Sequence, residues 1–243
     1  LEAMLSVTQS FALPSFEMSA GSVVEDVTGL RLDDALYPIP PWVPQGGFTV
    51  DRALLYAIAR QESGFNALAQ NPSGATGLMQ IIPSTAAAVA KRLGMSNANL
   101  RDPVISMTLG QEYLKMLLAD PNVQNDLFLM TIAYNAGPGN LAKWRRDLDY
   151  QDDPLLFIES IPSHETRLFV ERVMAGLWVY QARLGQASPT LDAVAAGAWP
   201  TYAPQDSDTV AASDVENSRK PAVPSGQHRR PDGFRHPYRS RRQ

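Results

Sequence analysis

The most informative part of this sequence is Ala59-Arg60-Gln61-Glu62-Ser63-Gly64-Phe65, where a helical pattern ends on a carboxyl group. Residues 50 to 61 have the apolar spacing of an amphipathic helix, with Thr49 or Asp51 as N-cap candidates. Gly64 follows as the expected C-terminal breaker. The pattern therefore places Glu62 in the last turn of a helix.

Glu62 shares the apolar stripe of that helix. Ala59, Ile58 and Leu55 lie three, four and seven residues before it, so the four side chains occupy one face. If this face packs on the core, burial favours the protonated form of Glu62 at neutral pH, which is the form that a general acid needs. The alternative is a solvated glutamate at a frayed helix end.

A second block, Gly77-Leu78-Met79-Gln80-Ile81-Ile82-Pro83, follows the loop-forming residues 71 to 76. It predicts a tight loop, a short apolar run and a helix that opens at Pro83 and closes at Gly94. A glycine where backbone passes close to a ligand, followed by a glutamine with both donor and acceptor, suits the wall of a saccharide cleft. The apolar residues of the block are equally compatible with plain core positions.

Two further blocks come later in the chain. Residues 133 to 139, Ala-Tyr-Asn-Ala-Gly-Pro-Gly, end an apolar helix that begins near Asn125, and Tyr134 in this block is equally compatible with a core tyrosine. Residues 157 to 167, Phe-Ile-Glu-Ser-Ile-Pro-Ser-His-Glu-Thr-Arg, lead into a long helix that Gly185 ends. Ser163 is a good N-cap for that helix.

In this order and spacing, the four blocks resemble the soluble lytic transglycosylases of bacterial cell-wall turnover, whose catalytic domain is similar to goose lysozyme. The resemblance covers residues 37 to 185. It implies that Glu62 is the single catalytic acid and base. It further implies that substrate is bound by Ser73, Met79, Gln80, Tyr134, Asn135 and Glu165.

Some features of these blocks differ from the family or have a second explanation. Phe169 stands where the family often has tyrosine, and Ile82 where it often has a second methionine. A carboxylate at Glu165 in a first helical turn gains about 0.3–1 kcal/mol from the helix dipole without any role in binding.

The resemblance also implies a reaction. Protonation of a glycosidic oxygen makes it a leaving group, and the transition state has oxocarbenium character. The C6 hydroxyl of N-acetylmuramic acid then attacks its own anomeric carbon, and Glu62 takes the hydroxyl proton. The product is a 1,6-anhydro sugar, and no water is consumed.

Composition sets the frame around these blocks. The chain has 243 residues, 44% of them hydrophobic, which is enough for one substantial domain with appendages. Helical spacing dominates, so we expect a mainly α, lysozyme-like domain with little β structure. We expect a weakly structured extension at residues 1–36, the catalytic domain at 37–199 and a disordered tail at 200–243.

The sequence gives no reason to expect a cofactor or a metal. It has no cysteine, and His164 is its only histidine outside the tail. It has no apolar run long enough to span a membrane and no signal-peptide pattern at its start. We expect a processed or engineered fragment, and the substrate class implies a periplasmic or cell-envelope location.

The charge of the chain is uneven. The net charge is −4, yet residues 219–243 carry eight lysines and arginines and one acid. This basic tail favours binding to an anionic wall polymer or another polyanion, and a solvated extension is the alternative. No specific nucleic-acid site is expected.

We therefore interpret the sequence as a peptidoglycan lytic transglycosylase. Its expected partner is a peptidoglycan glycan strand, cut at the β-1,4 bond between N-acetylmuramic acid and N-acetylglucosamine. A lysozyme-type muramidase, which is a hydrolase, and a non-catalytic peptidoglycan-binding protein are the alternatives.

Overall fold

A computed structural model describes residues 13–206 of the chain. This part is mainly helical, as the sequence predicts, and its only strand-like pairings are the isolated bridges Gln70 to Thr76, Thr76 to Ile81 and Asp126 to Thr201. The helices of this part are α1 (Pro14–Thr28), α2 (Asp33–Leu36), α3 (Arg52–Ser63), α4 (Pro83–Arg92), α5 (Pro103–Leu118), α6 (Leu127–Ala136), α7 (Pro138–Asp147), α8 (Pro154–Ser160), α9 (His164–Arg183) and α10 (Pro189–Ala195).

Helix α3 lies at the centre of the core. Every residue from 53 to 59 is at most 3% exposed, so this middle part of the helix is buried on all sides. Its main neighbour is α9, where Gly176 lets the two backbones approach: a Cβ at this position would lie 3.4 Å from the Ala57 Cβ. This central placement puts the last turn of α3, with Glu62, at the edge of the core.

The end of α3 follows the sequence prediction. Gly64 adopts a left-handed conformation with φ 55°, and its N–H donates to the Arg60 carbonyl at 3.0 Å. The start differs in detail. Asp51 occupies the N-cap position, but its carboxylate does not cap the helix; it accepts the amides of Gln205 and Asp206 at 2.8 and 3.0 Å.

The described part of the N-terminal extension differs from the weakly structured segment expected at residues 1–36. Residues Pro14–Thr28 form α1, and a short helix, α2, follows. The sequence pattern is weak because α1 buries Ala20, Gly21, Val24 and Glu17 while exposing larger apolar side chains such as Val27. Residues 1–12 lie outside the described part.

The C-terminal boundary expected at residue 199 also differs from the structure. Residues 200 to 206 pack on the body of the domain: the N–H of Tyr202 donates to the Asn125 carbonyl, and Asp206 is 5% exposed. The Asp206 carboxylate accepts the Arg52 amide at 2.6 Å and forms an ion pair with the Arg52 guanidinium. The tail expected to be disordered lies, from residue 207, outside the described residues.

Among helices α1 to α10, none combines the length and the apolar character that crossing a bilayer requires.

Candidate active site

Four sequence blocks meet at one cleft of about 480 Å³. Its walls come from the end of α3, the loop at residues 71–82, the C-terminal end of α6 and the first turn of α9. A smaller recess of about 250 Å³, which shares Glu62, Asn135 and Glu165 with the cleft, extends along α9 to Arg172. The fold therefore brings together segments that are up to about a hundred residues apart in sequence.

Glu62 lies in this cleft with its carboxyl group largely withdrawn from water. Burial is the main cause that raises the pKa of Glu62 to about 8, and the charge of Glu165 adds to it. Within the described residues, no group donates a hydrogen bond to this carboxyl. A carboxylic acid that keeps its proton at neutral pH is suited to protonating a leaving oxygen.

Glu165 lines the same cleft, but it is solvent-exposed. It lies in the first turn of α9, and the Ser163 side chain caps this helix by accepting the Thr166 amide, as predicted for that serine. The site thus contains a second carboxylate besides that of Glu62. Its charge opposes ionisation of Glu62, so Glu165 helps to keep the acid protonated.

Tyr134 is close enough to Glu62 for their charges to interact, but its hydroxyl forms no hydrogen bond with the Glu62 carboxyl. The hydroxyl donates to the Met79 carbonyl at 2.6 Å. Burial, followed by the charge of Glu62, raises the pKa of Tyr134 well above its ordinary value, so the phenol stays neutral. The phenol lines the cleft and also ties α6 to the loop that carries Met79.

Met79 was expected to belong to the substrate groove, and the structure buries its side chain in the core. The residue is 0% exposed, and its side chain packs over Gly110 of α5, where a Cβ would lie 2.6 Å from the Met79 Cγ. An apolar side chain next to a glycine gap gains more from filling the core than from facing water. Only the carbonyl of Met79 is directed to a site residue, Tyr134.

Gln80 does line the cleft, in a strained conformation with φ 44°. Its side-chain nitrogen donates to the carbonyls of Ala69 and Gly77 at 3.1 and 2.9 Å. Both donors are therefore used to hold the loop, and the amide oxygen is the group that Gln80 can offer to a ligand.

Gly77 was expected to let the backbone approach a ligand. The structure shows an approach to the protein's own chain, because a Cβ at Gly77 would lie 1.9 Å from the Leu100 carbonyl oxygen. The residue also has φ 81°, which favours glycine. Gly77 therefore positions the loop, and it is not among the residues that line the cleft.

Asn135 lines both the cleft and the recess. Its side-chain oxygen accepts a hydrogen bond of 2.8 Å from the Thr166 hydroxyl, which itself lies 2.9 Å from the Ser163 hydroxyl. This chain of contacts fixes the orientation of the Asn135 amide, so that its NH₂ group remains available to the cleft. Ser73, on the opposite wall, is exposed and lines the cleft as well.

Sequence reasoning missed three residues that build the site. The Ser63 hydroxyl donates to the Leu78 carbonyl at 2.9 Å and so joins α3 to the loop. Thr166 is 2% exposed and orients Asn135, while Tyr113 of α5 lines the cleft and packs on the Tyr134 ring at 5.4 Å. Ser63 and Thr166 stand inside the quoted blocks, but only the fold shows what they contact; Tyr113 lies outside all four blocks.

The two departures from the family pattern have distinct positions. Phe169 is 5% exposed and stacks on Tyr134 with ring centroids 6.3 Å apart. It lines the recess without a polar group. Ile82 is 43% exposed and lines the cleft, so the position remains an apolar part of the wall. Among the residues with described positions, no cluster of acidic residues and histidine suits a metal ion.

Comparison with known proteins points in the same direction as the geometry. Residues 44–156 match the family model described as the transglycosylase SLT domain. The chain is 36% identical over 149 residues to the soluble lytic murein transglycosylase of Escherichia coli strain K12, which covers 60% of this chain and 23% of that protein. An endo-type membrane-bound lytic murein transglycosylase A from Klebsiella pneumoniae is 30% identical over 136 residues, which covers 44% of this chain and 66% of that protein.

Solved structures give the same result. A complex of the 70 kDa soluble lytic transglycosylase with bulgecin A aligns with a TM-score of 0.67 and 27% identity, over 77% of this chain and 31% of that one. An inactive glutamate-to-glutamine mutant of the lytic transglycosylase Slt from Pseudomonas aeruginosa aligns with a TM-score of 0.64 and 26% identity, over 77% and 31% of the two chains. Residues 44–156 thus match a transglycosylase SLT domain, and the chain is similar to soluble lytic transglycosylases in sequence and in its lysozyme-like helical fold.

Proposed function

We propose that this protein is a peptidoglycan lytic transglycosylase with Glu62 as its general acid and base. The observation that carries the proposal is the burial of Glu62 in a cleft whose walls contain all four family blocks, and this burial raises the pKa of its carboxyl to about 8. Only a protonated carboxyl can donate to a glycosidic oxygen, and burial keeps this one protonated at neutral pH. The chain spans 23% of the length of the Escherichia coli relative, so the activity is proposed for the domain present here.

In the proposed reaction, the Glu62 carboxyl transfers its proton to the oxygen between N-acetylmuramic acid and N-acetylglucosamine. The bond from this oxygen to the anomeric carbon breaks, and the muramic acid ring acquires oxocarbenium character. The C6 hydroxyl of the same ring forms the new bond to the anomeric carbon, and its proton passes to the Glu62 carboxylate. Glu62 is then ready for a second cycle, and one 1,6-anhydro end has formed.

The other residues of the cleft have supporting roles in this proposal. The Gln80 oxygen, the Asn135 amide and the Ser73 hydroxyl offer hydrogen bonds to sugar hydroxyl and acetamido groups. Glu165 keeps Glu62 protonated through its charge and faces the substrate from the start of α9. Met79 acts through its carbonyl, which holds Tyr134 in the wall.

A hydrolase remains the second candidate, because Glu165 provides a second carboxylate in the cleft. A carboxylate that activates a water would give the two-carboxylate arrangement of an ordinary glycosidase. Mass spectrometry of the products separates the two reactions: the lytic reaction gives 1,6-anhydromuramic acid ends, and hydrolysis gives reducing ends. Reducing ends as the sole product would overturn the lytic proposal. A wild-type protein that cuts no peptidoglycan would favour the other alternative, a non-catalytic peptidoglycan-binding protein.

We also propose a location in the cell envelope, where the substrate lies, and a contribution of the basic tail to binding anionic wall material. Residues 219–243 carry eight lysines and arginines and one acid, so their attraction to a polyanion should weaken with salt, over a screening length of about 10 Å at 0.1 M. Removal of residues 207–243 should reduce low-salt sedimentation with whole sacculi. If the full chain and the chain lacking residues 207–243 sediment equally across a salt series, the tail does not bind wall material and is only a solvated extension.

A further inference from the structure

The recess that adjoins the active-site cleft ends at a cationic side chain, Arg172, and we call it the Arg172 recess. One of its walls is a face of α9, whose residues in the recess are Glu165, Leu168, Phe169 and Arg172. Glu165 and Arg172 are seven positions apart, which is about 10 Å along the axis of α9. One helix face therefore runs from the carboxyl groups of the cleft to a guanidinium.

The charge of Arg172 has no partner in the part of the chain that the structure describes. The side chain is exposed, and none of the ion pairs of residues 13–206 includes it. The positions one turn before and after it on α9 are Leu168, Phe169, Ala175 and Gly176, which carry no charge. The guanidinium therefore keeps its N–H donors for a bound molecule or for water, in the planar arrangement that suits a carboxylate.

The two ends of the Arg172 recess differ in charge. Glu62 and Glu165 stand at the end that is shared with the cleft, and Arg172 stands at the other end. The charge of Glu165 already disfavours ionisation of Glu62, so a further anion at the cleft end would be repelled as well. An anionic group of a bound molecule is therefore favoured only at the Arg172 end.

The middle of the recess combines an amide with apolar side chains. Gln61 is half-buried in the last turn of α3, and its side chain forms no hydrogen bond with the described residues. Its amide offers both a donor and an acceptor. Leu168 and Phe169 add apolar surface. A short peptide has matching chemistry, because each of its units has an N–H, a carbonyl and an apolar edge.

We propose that the Arg172 recess binds the peptide stem of the substrate, with a stem carboxylate on the Arg172 guanidinium. This inference rests on the proposed function for the identity of the glycan. The stem is joined to N-acetylmuramic acid through the lactyl group on C3 of the sugar. Arg172 would then select glycan strands that keep their stems.

The length of the recess indicates which carboxylate reaches Arg172. Each unit of an extended chain spans at most about 3.3–3.6 Å, and a lactyl group is about one such unit long. The lactyl carboxyl alone is therefore too short to reach Arg172 from a sugar ring beside Glu62 and Glu165. The lactyl group and two amino acids together span about 10 Å, the length of the α9 wall. The contact is thus assigned to a carboxylate on the second residue of the stem.

The test measures KM and kcat of the full chain on three soluble glycan strands. One strand has stems with a free carboxylate on the second residue, one has this carboxylate amidated, and one has had its stems removed. Arg172→Gln should raise KM for the first strand about fivefold with kcat unchanged, because one exposed but well-oriented ion pair is lost. On the other two strands, wild type and variant should have the same KM. Arg172→Lys should restore part of the affinity, since it keeps the charge without the planar geometry.

Lys91→Gln is the matched control. Lys91 is an exposed cation in the last turn of α4 and lines neither the cleft nor the recess, so its loss should leave KM unchanged on all three strands. A second measurement avoids turnover: calorimetry compares the affinity of Glu62→Gln and of the double variant Glu62→Gln, Arg172→Gln for a disaccharide with a stem. The double variant should bind it about fivefold more weakly.

Three outcomes would overturn the proposal while leaving the proposed activity intact. They are an unchanged KM of Arg172→Gln on strands with stems, an equal rise for Lys91→Gln, and an equal rise on strands without stems, which would assign the guanidinium to the lactyl carboxylate. The opposite result is also distinguishable. A wild-type protein that cuts no peptidoglycan, together with Arg172-dependent binding of the disaccharide, would contradict the proposed function and support the stem contact.

Discussion

Glu165 lines the same cleft as Glu62, and its charge adds to burial in raising the pKa of the catalytic candidate to about 8. The two carboxyl groups belong to helices a hundred residues apart in sequence. Only the crossing of α3 and α9 brings them together. Glu165 is thus a tuning group for Glu62, whatever contacts it makes with substrate.

The first prediction concerns the pH profile of kcat/KM. The general acid must be protonated, so activity should be lost as pH rises through about 8. Glu165→Gln removes a negative charge that disfavours ionisation, so the alkaline limb should move to lower pH. Because burial remains the larger cause, the limb should stay above the ordinary glutamate range. Glu159→Gln, an exposed glutamate of the same block, should leave the limb unchanged. If the alkaline limb of the Glu165 variant stays at the wild-type pH, the charge of Glu165 does not influence the ionisation of Glu62.

The second prediction is that Glu62→Gln loses activity and gains stability. The amide cannot donate a proton to the leaving oxygen, so turnover should fall by about 10²–10⁴-fold. Because the pKa of Glu62 is raised in the folded state, the protonated carboxyl stabilises the fold fully below about pH 4.5. This contribution to the free energy of unfolding is lost as pH rises through about 8. The variant lacks the ionisation, so above pH 8 it should be about 1–3 kcal/mol more stable than wild type, with a smaller difference at acid pH.

Urea unfolding at several pH values measures this difference. Glu171→Gln, an exposed substitution on α9, is the control for a general charge effect. A Glu62 variant that retains more than about a tenth of wild-type turnover would remove this residue from the role of general acid.

The third prediction is that Tyr134→Phe acts mainly on stability. The hydroxyl donates to the Met79 carbonyl, and its loss leaves a buried acceptor unpaired, at a cost of about 1–3 kcal/mol. Activity per folded molecule should fall less than in Glu62→Gln, because the lost bond holds the Met79 carbonyl and so affects the neighbouring cleft residue Gln80 only indirectly. Tyr113→Phe is the control, since the Tyr113 hydroxyl makes no hydrogen bond with the described residues. Full stability together with a complete loss of turnover would place the Tyr134 hydroxyl in the reaction itself.

The fourth prediction concerns Thr166→Val. Valine has nearly the same shape, but it cannot donate to Asn135, so the Asn135 amide should lose its fixed orientation. We expect a rise in KM for glycan strands with a stability loss of about 1–2 kcal/mol. Thr131→Val is the matched control, because the Thr131 hydroxyl is buried and bonds only within its own helix. If both variants show the same kinetics, the Thr166 contact has no role in binding.

The fifth prediction locates the C-terminal end of the folded domain. A chain ending at Asp206 should unfold at the same temperature as the full chain, whereas one ending at residue 203 should be about 2–3 kcal/mol less stable. The shorter chain lacks the carboxylate that accepts the Arg52 amide and the backbone amides that satisfy Asp51. Thermal unfolding followed by circular dichroism tests both, and identical midpoints would mean that these contacts contribute little.

The sequence predicts the central helices because their apolar spacing reflects burial. Leu55, Ile58 and Ala59 are all 0% exposed, and Glu62 shares their face as predicted. The first helix escapes prediction because its buried face has Val24 beside small residues and Glu17, while other apolar residues such as Phe16 and Val27 are exposed. The spacing rule assumes the opposite arrangement.

The site is predictable where a block has a local role, and less so where contacts are long-range. The N-cap at Ser163 and the break at Gly64 depend on neighbouring backbone, so the pattern is sufficient. The bond from Tyr134 to Met79 spans 55 positions, and no local pattern indicates it. No local pattern indicates the burial of the Met79 side chain either, because its gap beside Gly110 exists only once α5 has packed.

Gly77 has a consequence for how this domain tolerates change. Its missing side chain makes room for the Leu100 carbonyl, and its backbone angle disfavours every other residue. In a saturation library selected only for soluble, folded protein, this position should therefore return glycine alone, even when Glu62 and the whole catalytic requirement are left free to vary. Glycine at this position would then reflect a requirement of the fold. Its presence in a distant sequence would not indicate whether that protein still cuts a glycan.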